Sequence, residues 1–287
     1  MNIQDKRSRR KPDWLKIRLP QSGKYADVHQ TIHAHKLNTI CTSGKCPNLG
    51  ECWDRGTATI MILGDICTRA CKFCAVKTGK PLPPDFNESV GVAKSVQKLK
   101  LKHVVLTSVD RDDLDDLGAE IWAETVKQIK ILNPETTIET LIPDFQGGND
   151  LIQKVIDAKP DVISHNLETV KRLTPKIRSR AQYDTSLQVI KQISDSGIVS
   201  KSGIMVGLGE KFDEVVSVMN DLREVNCQVL TIGQYLQPTP KHHEVLEYVH
   251  PDVFKNWEKI ALKKGFTYVE SSPLVRSSYH AEKHVKK

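Results

Sequence analysis

Short runs of apolar and β-branched residues alternate with longer stretches of helical periodicity from residue 59 onward. The short runs predict six strands, at 59–63, 103–108, 137–142, 162–166, 199–206 and 229–235. The longer stretches predict helices, at 88–101, 117–132, 149–158, 182–196, 212–225 and 252–264. Because the predicted strands are apolar on both faces, we expect helices to cover them. The pattern therefore predicts an α/β fold, a partial or complete TIM-type barrel of (β/α)6 form, whose chemistry lies at the carboxyl ends of the strands.

A non-periodic segment flanks the barrel on each side, so the chain divides into three parts. Residues 1–58 form a basic arm and a cysteine-containing loop, residues 59–270 form the barrel, and residues 271–287 form a C-terminal tail. We expect the two extensions to cover the barrel mouth.

The formal net charge of +7 is concentrated at the two ends of the chain. Residues 1–18 carry seven Lys or Arg against Asp5 and Asp13, and the tail adds Lys283, Lys286 and Lys287. The body between the ends is close to neutral. Two basic ends on a neutral body favour mobile arms that meet an acidic partner over a nucleic-acid-binding face, although frayed, solvated termini explain the same charges.

The sequence also predicts the cellular location of the protein. No apolar run approaches the length of a membrane span, and the basic start is not followed by the apolar segment of a secretory signal. We therefore expect a cytoplasmic protein without a membrane or nucleic-acid partner. Six of the seven cysteines fall between Cys41 and Cys74, and in a chain of this kind such clustering indicates metal binding or catalysis rather than disulfides.

The second cysteine group directly follows the first predicted strand. Cys67, Cys71 and Cys74 have the spacing C-x3-C-x2-C. Three thiolates in one short loop can hold three corners of a 4Fe–4S cube, which leaves the fourth iron open to a small chelating ligand. Structural zinc is the alternative, but zinc prefers C-x2-C pairs and four ligands.

The first cysteine group lies before the barrel, in a segment with Gly, Pro and Asn that predicts a loop. Cys41, Cys46 and Cys52 have the spacing C-x4-C-x5-C, again with three thiols. Cys227 could be a fourth ligand, but a lone cysteine just before a strand is more often a small buried hydrophobe. Other possible ligands are the nearby histidines His29, His33 and His35.

The loop that contains the second group resembles the signature of the radical S-adenosylmethionine (SAM) superfamily. The resemblance implies that the cofactor's methionine end binds the open iron of a cluster at Cys67, Cys71 and Cys74. It implies reductive cleavage to methionine and a 5′-deoxyadenosyl radical that abstracts hydrogen from an unactivated carbon. Phe73 matches the superfamily's aromatic residue before the last cysteine, which lies near the adenine.

Both cysteine groups together with the terminal motif Arg276-Ser277-Ser278-Tyr279 resemble the lipoyl synthase family, over roughly residues 40–281. The resemblance implies an auxiliary 4Fe–4S cluster at Cys41, Cys46 and Cys52. A serine of the terminal motif is its fourth ligand, and we assign that role to Ser278 over the neighbouring Ser277. One departure is Ser272 before Pro273, where the family more often has glycine.

The implied reaction is the insertion of two sulfur atoms, at C6 and C8 of a protein-bound octanoyl-lysine, with the auxiliary cluster as sulfur source and two SAM consumed per lipoyl group. The implied substrates are octanoylated lipoyl-carrier domains of 2-oxoacid dehydrogenases and the glycine cleavage H protein. Further implied partners are a reductant such as ferredoxin or flavodoxin and an iron–sulfur carrier for cluster repair. Acidic carrier domains would suit the basic ends of the chain.

Polar residues at the predicted strand ends are candidates for binding the cofactor, by location and by resemblance. For each one, capping or loop ordering is the simpler interpretation. The assignments are Ser108 and Asp110 to the methionine amine, Asn166 and Glu168 to the ribose, Lys201 to the carboxylate, and Gly207 to close backbone approach at the adenine.

Three other classes of protein are compatible with part of the pattern. A methylthiotransferase acting on tRNA would carry an RNA-binding appendage, which we do not expect because the sequence ends soon after the barrel. A two-cluster electron carrier would saturate each cube with four cysteines. Such a carrier would also not need a barrel with polar strand ends. A zinc-binding interaction protein is the third class, and three cysteines with unequal gaps fit it poorly.

Overall fold

The computed structural model describes residues 11–16, 24–34, 37–54 and 59–285. Most of the basic N-terminal arm, His35, Lys286 and Lys287 lie outside the described residues, as does the side chain of His33. Within the described ranges, no helix is long and apolar enough to cross a membrane. The cytoplasmic location stays a prediction.

One sheet of eight strands organises the described chain. Its strand order is β1-β2-β5-β6-β7-β8-β9-β10, and every neighbouring pair is parallel except the antiparallel pair of β1 with β2. A separate pair, β3 with β4, is also parallel. The strands are β1 Asn38–Thr39, β2 Thr59–Ile62, β3 Ile66–Cys67, β4 Lys77–Thr78, β5 His103–Ser108, β6 Thr137–Leu141, β7 Val162–Ser164, β8 Val199–Val206, β9 Val229–Gln234 and β10 Tyr268–Ser271.

Helices follow the central strands and cover the outer face of the sheet. The helices are α1 Lys24–Ala34, α2 Ile40–Ser43, α3 Leu49–Asp54, α4 Glu88–Lys98, α5 Ala119–Leu132, α6 Asn149–Asp157, α7 Thr174–Ile177, α8 Tyr183–Asp195, α9 Phe212–Glu224 and α10 Pro251–Lys263. Short 3-10 turns occur at Asp13–Leu15, Phe145–Gly147 and Ala281–Lys283.

The strand–helix alternation confirms the α/β partial barrel. Every residue of β2 and of β9 is buried, because helices pack on one face and the barrel interior lies on the other. The sheet begins at β1 and ends at β10 without pairing those two, so the barrel is open on one side. It has one parallel strand more than the six predicted, because β10 continues the sheet after β9.

Two apolar clusters form the core between sheet and helices. One surrounds Trp122 on α5, which is fully buried, and the other surrounds Phe254 and Trp257 on α10. The helices α4 and α5 pack closely together over the first of these clusters. This rigid half-shell holds the strand ends at fixed positions.

The N-terminal and C-terminal extensions meet each other beside the barrel. The side-chain amide of Asn48 donates to the carbonyl oxygen of Leu274 at 2.7 Å, and the hydroxyl of Tyr279 donates to Glu51 at 3.0 Å. Gly233 on β9 must lack a side chain, because a Cβ there would overlap the carbonyl oxygen of Val275. The tail backbone therefore lies directly against the sheet. The predicted domain boundary at residue 270 falls inside β10.

Candidate active site

A cavity of about 370 Å³ opens at the carboxyl ends of the strands. All six clustered cysteines line it, from the N-terminal loop and from the loop after β2. Ser277 and Ser278 line the same cavity from the C-terminal tail. Three segments that are far apart in sequence thus bring their reactive side chains to one space.

The loop from Cys67 to Cys74 is held by backbone hydrogen bonds on several sides. The amide of Gly79 donates to the carbonyl of Cys67 at 3.0 Å, where β3 pairs with β4. Lys72 donates its amide to Ile177 at 2.9 Å and accepts from His243 at 2.9 Å. The loop is therefore a fixed support for its three sulfur atoms.

Burial raises the pKa of two thiols in this loop. Burial raises the pKa of Cys67 to about 11, and Asp110 and Cys71 act in the same direction. Burial raises the pKa of Cys74 to about 12, with further contributions from Cys71 and Cys67. The raised pKa values of Cys67 and Cys74 suit binding to cationic iron, which stabilises thiolates directly.

Arg69, between the first two cysteines of this loop, clamps three strand ends together. Its guanidinium donates to Asp112 at 2.8 and 2.7 Å and to Asp144 at 2.9 and 2.8 Å, and it lies 3.3 Å from Asp110. Burial lowers the pKa of Arg69, but hydrogen bonds to Asp112 and Asp144 raise it further than burial lowers it. Burial alone would raise the pKa of Asp112, but Arg69 brings it to about 2. The loops after β2, β5 and β6 are thereby locked in place.

Sequence reasoning missed this clamp. The signal for it was present: an arginine inside the cysteine motif, and aspartates directly after two predicted strands. A pairing rule for charges at neighbouring strand ends would have suggested the contact, because parallel strands end at the same edge.

Five of the predicted cofactor-binding residues line the cavity, namely Phe73, Ser108, Asp110, Asn166 and Glu168. The hydroxyl of Ser108 and the side-chain oxygen of Asn166 are buried and have no hydrogen-bond partner among the described residues. Unmet polar atoms on a cavity wall fit a polar ligand such as an amino-acid group. Glu168 has φ of 66°, a left-handed backbone that an L residue adopts at some cost and that places its side chain beside Asn166.

The structure does not bring Lys201 or Gly207 to the cavity. Lys201 is the third residue of β8, and its ammonium donates to both carboxylate oxygens of Glu139 at 2.8 and 2.9 Å, with both side chains fully buried. Gly207 follows β8 with φ of 93°, and its amide donates to Glu210 at 2.6 Å. A Cβ at Gly207 would overlap Gln234 and the backbone of Glu247, so the glycine serves internal packing.

The first cysteine group lies on and between α2 and α3. The amide of Cys46 donates to the carbonyl of Cys41 at 3.0 Å. Burial raises the pKa of Cys41 and of Cys46. Arg276 lies close enough to Cys46 for the two charges to interact, while burial lowers the pKa of this arginine. A buried guanidinium beside a cysteine fits a centre that carries negative charge.

The two serines of the terminal motif differ in their surroundings. The hydroxyl of Ser277 accepts a hydrogen bond from the side-chain amide of Asn166 at 2.7 Å. Ser278 makes no side-chain hydrogen bond among the described residues, and it also lines the cavity. Ser278 is therefore the serine whose oxygen is available for another ligand.

Other candidate ligands lie elsewhere. Cys227 is fully buried with its thiol near the carbonyl of Val229, which confirms its interpretation as a small buried hydrophobe. His29 packs against Tyr25 and Trp53. Within the described residues, no three His, Cys, Asp or Glu side chains converge as ligands of a single metal ion. A cube requires a different arrangement, in which each sulfur binds its own iron.

Comparison with known proteins defines the class first. A family model for the radical SAM superfamily matches residues 61–222. The fold is similar to that of methylornithine synthase (PylB), with a TM-score of 0.53 at 12% identity over 87% of this chain and 82% of that one. It is also similar to HydG, a maturase of the [FeFe]-hydrogenase, with a TM-score of 0.54 at 13% identity over 91% and 71% of the two chains. Fold and cysteine loop together define a radical SAM enzyme that uses 4Fe–4S and SAM.

Full-length relatives define the family. The chain is 63% identical to the lipoyl synthase of Phocaeicola vulgatus, over 96% of this chain and 98% of that protein. It is 64% identical to the lipoyl synthase of Treponema denticola, over 97% and 96% of the two chains. It is 56% identical to the mitochondrial lipoyl synthase of Nematostella vectensis, over 96% and 95%. The chain belongs to the lipoyl synthase family, which confirms the resemblance, the enzyme class and the use of lipoyl-carrier substrates.

Proposed function

We propose that this chain inserts two sulfur atoms, at C6 and C8 of a protein-bound octanoyl-lysine, in one cavity that holds two 4Fe–4S clusters. The observation that carries the proposal is that Cys41, Cys46 and Cys52 line the same cavity as Cys67, Cys71 and Cys74. A substrate carbon between the two groups could meet both without leaving the protein.

Cys67, Cys71 and Cys74 would hold the cluster that binds SAM. Around it, Ser108 and Asp110 would receive the methionine amine, and Phe73 would lie near the adenine. Asn166 and Glu168 would bind the ribose, since their polar atoms are already directed to one another at 3.1 Å on the cavity wall. When bound, SAM and the clusters supply the electron transfer, the hydrogen abstraction and the sulfur, with two SAM used per lipoyl group.

Cys41, Cys46, Cys52 and Ser278 would hold the auxiliary cluster. Asn166 binds Ser277, so the residue that faces the ribose also fixes the backbone next to Ser278. An alkoxide is a weak ligand for iron in a sulfur-rich cube, which suits a cluster that is dismantled as it gives up sulfur. The Arg276 guanidinium would offset the negative charge of this centre near Cys46.

The walls between the two cysteine groups would place the octanoyl chain and exclude water. Apolar residues contribute much of the surface, including Leu141, Met205 and Val275. Apolar walls favour an aliphatic chain because its transfer from water is favourable. A dry site also protects reactive carbon centres from side reactions.

The partners follow from this chemistry. The carriers would be octanoylated lipoyl-carrier domains of 2-oxoacid dehydrogenases and the glycine cleavage H protein. A reductant such as ferredoxin or flavodoxin would supply electrons, and an iron–sulfur carrier would rebuild the auxiliary cluster. In a cytoplasmic enzyme of this kind, the auxiliary-cluster segment would be residues 1–58 and the catalytic barrel would be residues 59–270. The tail that carries the serine ligand would be residues 271–287.

Two matched triple variants test the proposal. One replaces Cys41, Cys46 and Cys52 with Ala, and the other replaces Cys67, Cys71 and Cys74 with Ala. After anaerobic reconstitution, each should hold half the iron of the wild type. The first should still form 5′-deoxyadenosine with reductant and SAM but add no sulfur to an octanoyl-lysine peptide, whereas the second should do neither.

The contrary outcomes are equally clear. Sulfur insertion by the variant without Cys41, Cys46 and Cys52 would show that this group is not the sulfur source. A wild-type chain that holds zinc and no iron would exclude the proposed chemistry altogether.

A further inference from the structure

A buried polar cluster lies inside the barrel, away from the cysteine groups. The Lys201 ammonium donates to both oxygens of Glu139, and the hydroxyl of Ser164 donates to Glu139 at 3.1 Å. The ring of His284 lies against this pair, with Nδ1 3.9 Å from the second Glu139 oxygen and both side chains fully buried. The ring also packs against Tyr268, whose ring centroid is 4.5 Å away in an edge-on arrangement.

The placement of His284 is unusual for a residue near the end of a basic tail. Neither ring nitrogen has a hydrogen-bond partner among the described residues. A buried polar group without partners costs free energy, so a folded chain that keeps one needs an explanation for it. Burial lowers the pKa of His284 and the Lys201 charge acts in the same direction. Together they outweigh the contact with Glu139, which raises the pKa, so the ring is neutral at neutral pH. Carboxylates that face it are Glu139 and Glu270.

The tail runs along the cavity, which Ala281 and Glu282 also line, toward the amino ends of the strands. Ser277 and Ser278 line the cavity at the carboxyl ends of the strands. The turn Ala281–Lys283 contacts β5, and Val285 packs against the first residues of β7, β8 and β9. His284 therefore enters the barrel near the amino ends of its strands, only a few residues after Ser278.

We propose that His284 anchors the C-terminal tail inside the barrel and thereby positions Ser278 as ligand of the auxiliary cluster. The inference rests on the proposed function, because it presumes that Ser278 binds the auxiliary iron. A short segment joined to a fixed point has little freedom, since each residue spans at most about 3.6 Å. With His284 buried at one end and Ser277 bound to Asn166 at the other, the intervening chain has few alternative paths.

Anchoring the tail would also keep Ser278 near the auxiliary cluster if the serine had to release the iron and bind it again. If Ser278 were released from the auxiliary iron, the tail would depend on its other contacts. The hydrogen bonds near the cavity, such as that of Tyr279 with Glu51, lie at the site that is rebuilt. The His284 contact lies inside the barrel, outside the residues that line the cavity. It can keep Ser278 nearby while the cluster is replaced.

The test uses reconstituted holoenzyme with His284→Ala, His284→Phe and the neighbouring control Lys283→Ala, whose side chain is exposed. Hydrogen exchange of residues 276–285 reports anchorage, and Mössbauer spectra report the ligand set of the auxiliary iron. In His284→Ala, exchange of the tail should rise at least about tenfold. The auxiliary cluster should lose its site-specific iron signal, and sulfur insertion should fall far more than SAM cleavage.

The variants Lys283→Ala and His284→Phe make the test more specific. Lys283→Ala should match the wild type in tail exchange, in the auxiliary spectrum and in SAM cleavage. His284→Phe keeps an aromatic ring against Tyr268 and should retain most of the protection, because no nitrogen of His284 is hydrogen-bonded. Should the phenylalanine variant behave like the alanine variant, the packing argument is overturned.

Other outcomes also decide the matter. Unchanged tail exchange or an unchanged auxiliary spectrum in His284→Ala overturns the inference. Loss of protection in β6 and β8 as well would make His284 a determinant of barrel stability and would overturn it too. Ser278→Ala is measured in parallel. If the spectrum of Ser278→Ala is unchanged, the assignment of Ser278 as a ligand is wrong. If the spectrum of Ser278→Ala changes while His284→Ala behaves like the wild type, only the anchoring role of His284 is wrong.

Discussion

Replacing Lys201 with methionine distinguishes a structural role of this lysine from a cofactor-binding role. The sequence pattern suggested that Lys201 binds the cofactor carboxylate, whereas the structure pairs it with Glu139 inside the barrel. Methionine fills similar space but carries no charge. The carboxylate of Glu139 would then be left buried, with only the hydroxyl of Ser164 and the neutral ring of His284 nearby.

The expected cost follows from the burial of this pair. Both side chains are fully buried and the ammonium contacts both carboxylate oxygens, so the pair is fully desolvated. Removing one partner of such a pair typically destabilises a protein by about 3–5 kcal/mol. For a chain of this size, that corresponds to a fall in Tm of about 10 °C. Burial alone would raise the pKa of Glu139, but the charge and hydrogen bonds of Lys201, with His284 acting in the same direction, bring it to about 2, so the carboxylate is ionised at neutral pH.

The assay combines stability with cofactor binding. Urea unfolding of Lys201→Met should show a lower midpoint with an unchanged slope. SAM affinity of the folded variant should stay within about twofold of the wild type, because the lysine lies outside the cavity. The double variant Glu139→Leu with Lys201→Met should recover most of the stability, since it leaves no buried charge. Unchanged stability together with weakened SAM binding would refute this reasoning and restore the cofactor role.

Three further predictions concern other buried groups. Arg69→Gln removes the cation that Asp112 and Asp144 share and leaves Asp112 with only the Arg180 cation, at 3.2 Å. We therefore expect a loss of about 10–100-fold in SAM cleavage, measured as 5′-deoxyadenosine, and normal cleavage would contradict the clamp. Burial lowers the pKa of His165 to about 4 from 6.5, so its neutral ring contributes about 3 kcal/mol that is fully present above pH 6.5 and is lost as the pH falls toward 4. His165→Gln should flatten that part of the stability curve in urea, and an unaltered curve would argue against it. Cys227→Ala should leave the iron content unchanged, and a loss of iron would make Cys227 a ligand.

The periodic part of the fold could be predicted because its signal is local. The strand at Val199–Val206 has the predicted bounds, and each predicted helix agrees with the structure to within three residues. The strand Tyr268–Ser271 was missed because it is four residues long and its burial alternates. The two-residue strand Asn38–Thr39 is too short for any periodicity.

The site could be predicted only where a motif marked it. The six cysteines and Ser278 were found from their spacing and resemblance, and the cavity gathers them. We predicted Lys201 at the cofactor site, but it lies near the start of a long strand and therefore far from the carboxyl end of that strand. Hydrophobic periodicity does not report this distance. Contacts such as Arg69 with Asp144 and His284 with Glu139 join residues far apart in sequence, so no local pattern indicates them.

The most direct test follows the sulfur itself. The wild-type chain is reconstituted with isotopically heavy sulfide and incubated with reductant, SAM and an octanoyl-lysine peptide containing no other sulfur, for a single turnover. We predict a peptide that has gained two sulfur atoms, both heavy. A product with unlabelled sulfur, or 5′-deoxyadenosine without any gain in peptide mass, would contradict a sulfur source in this cavity.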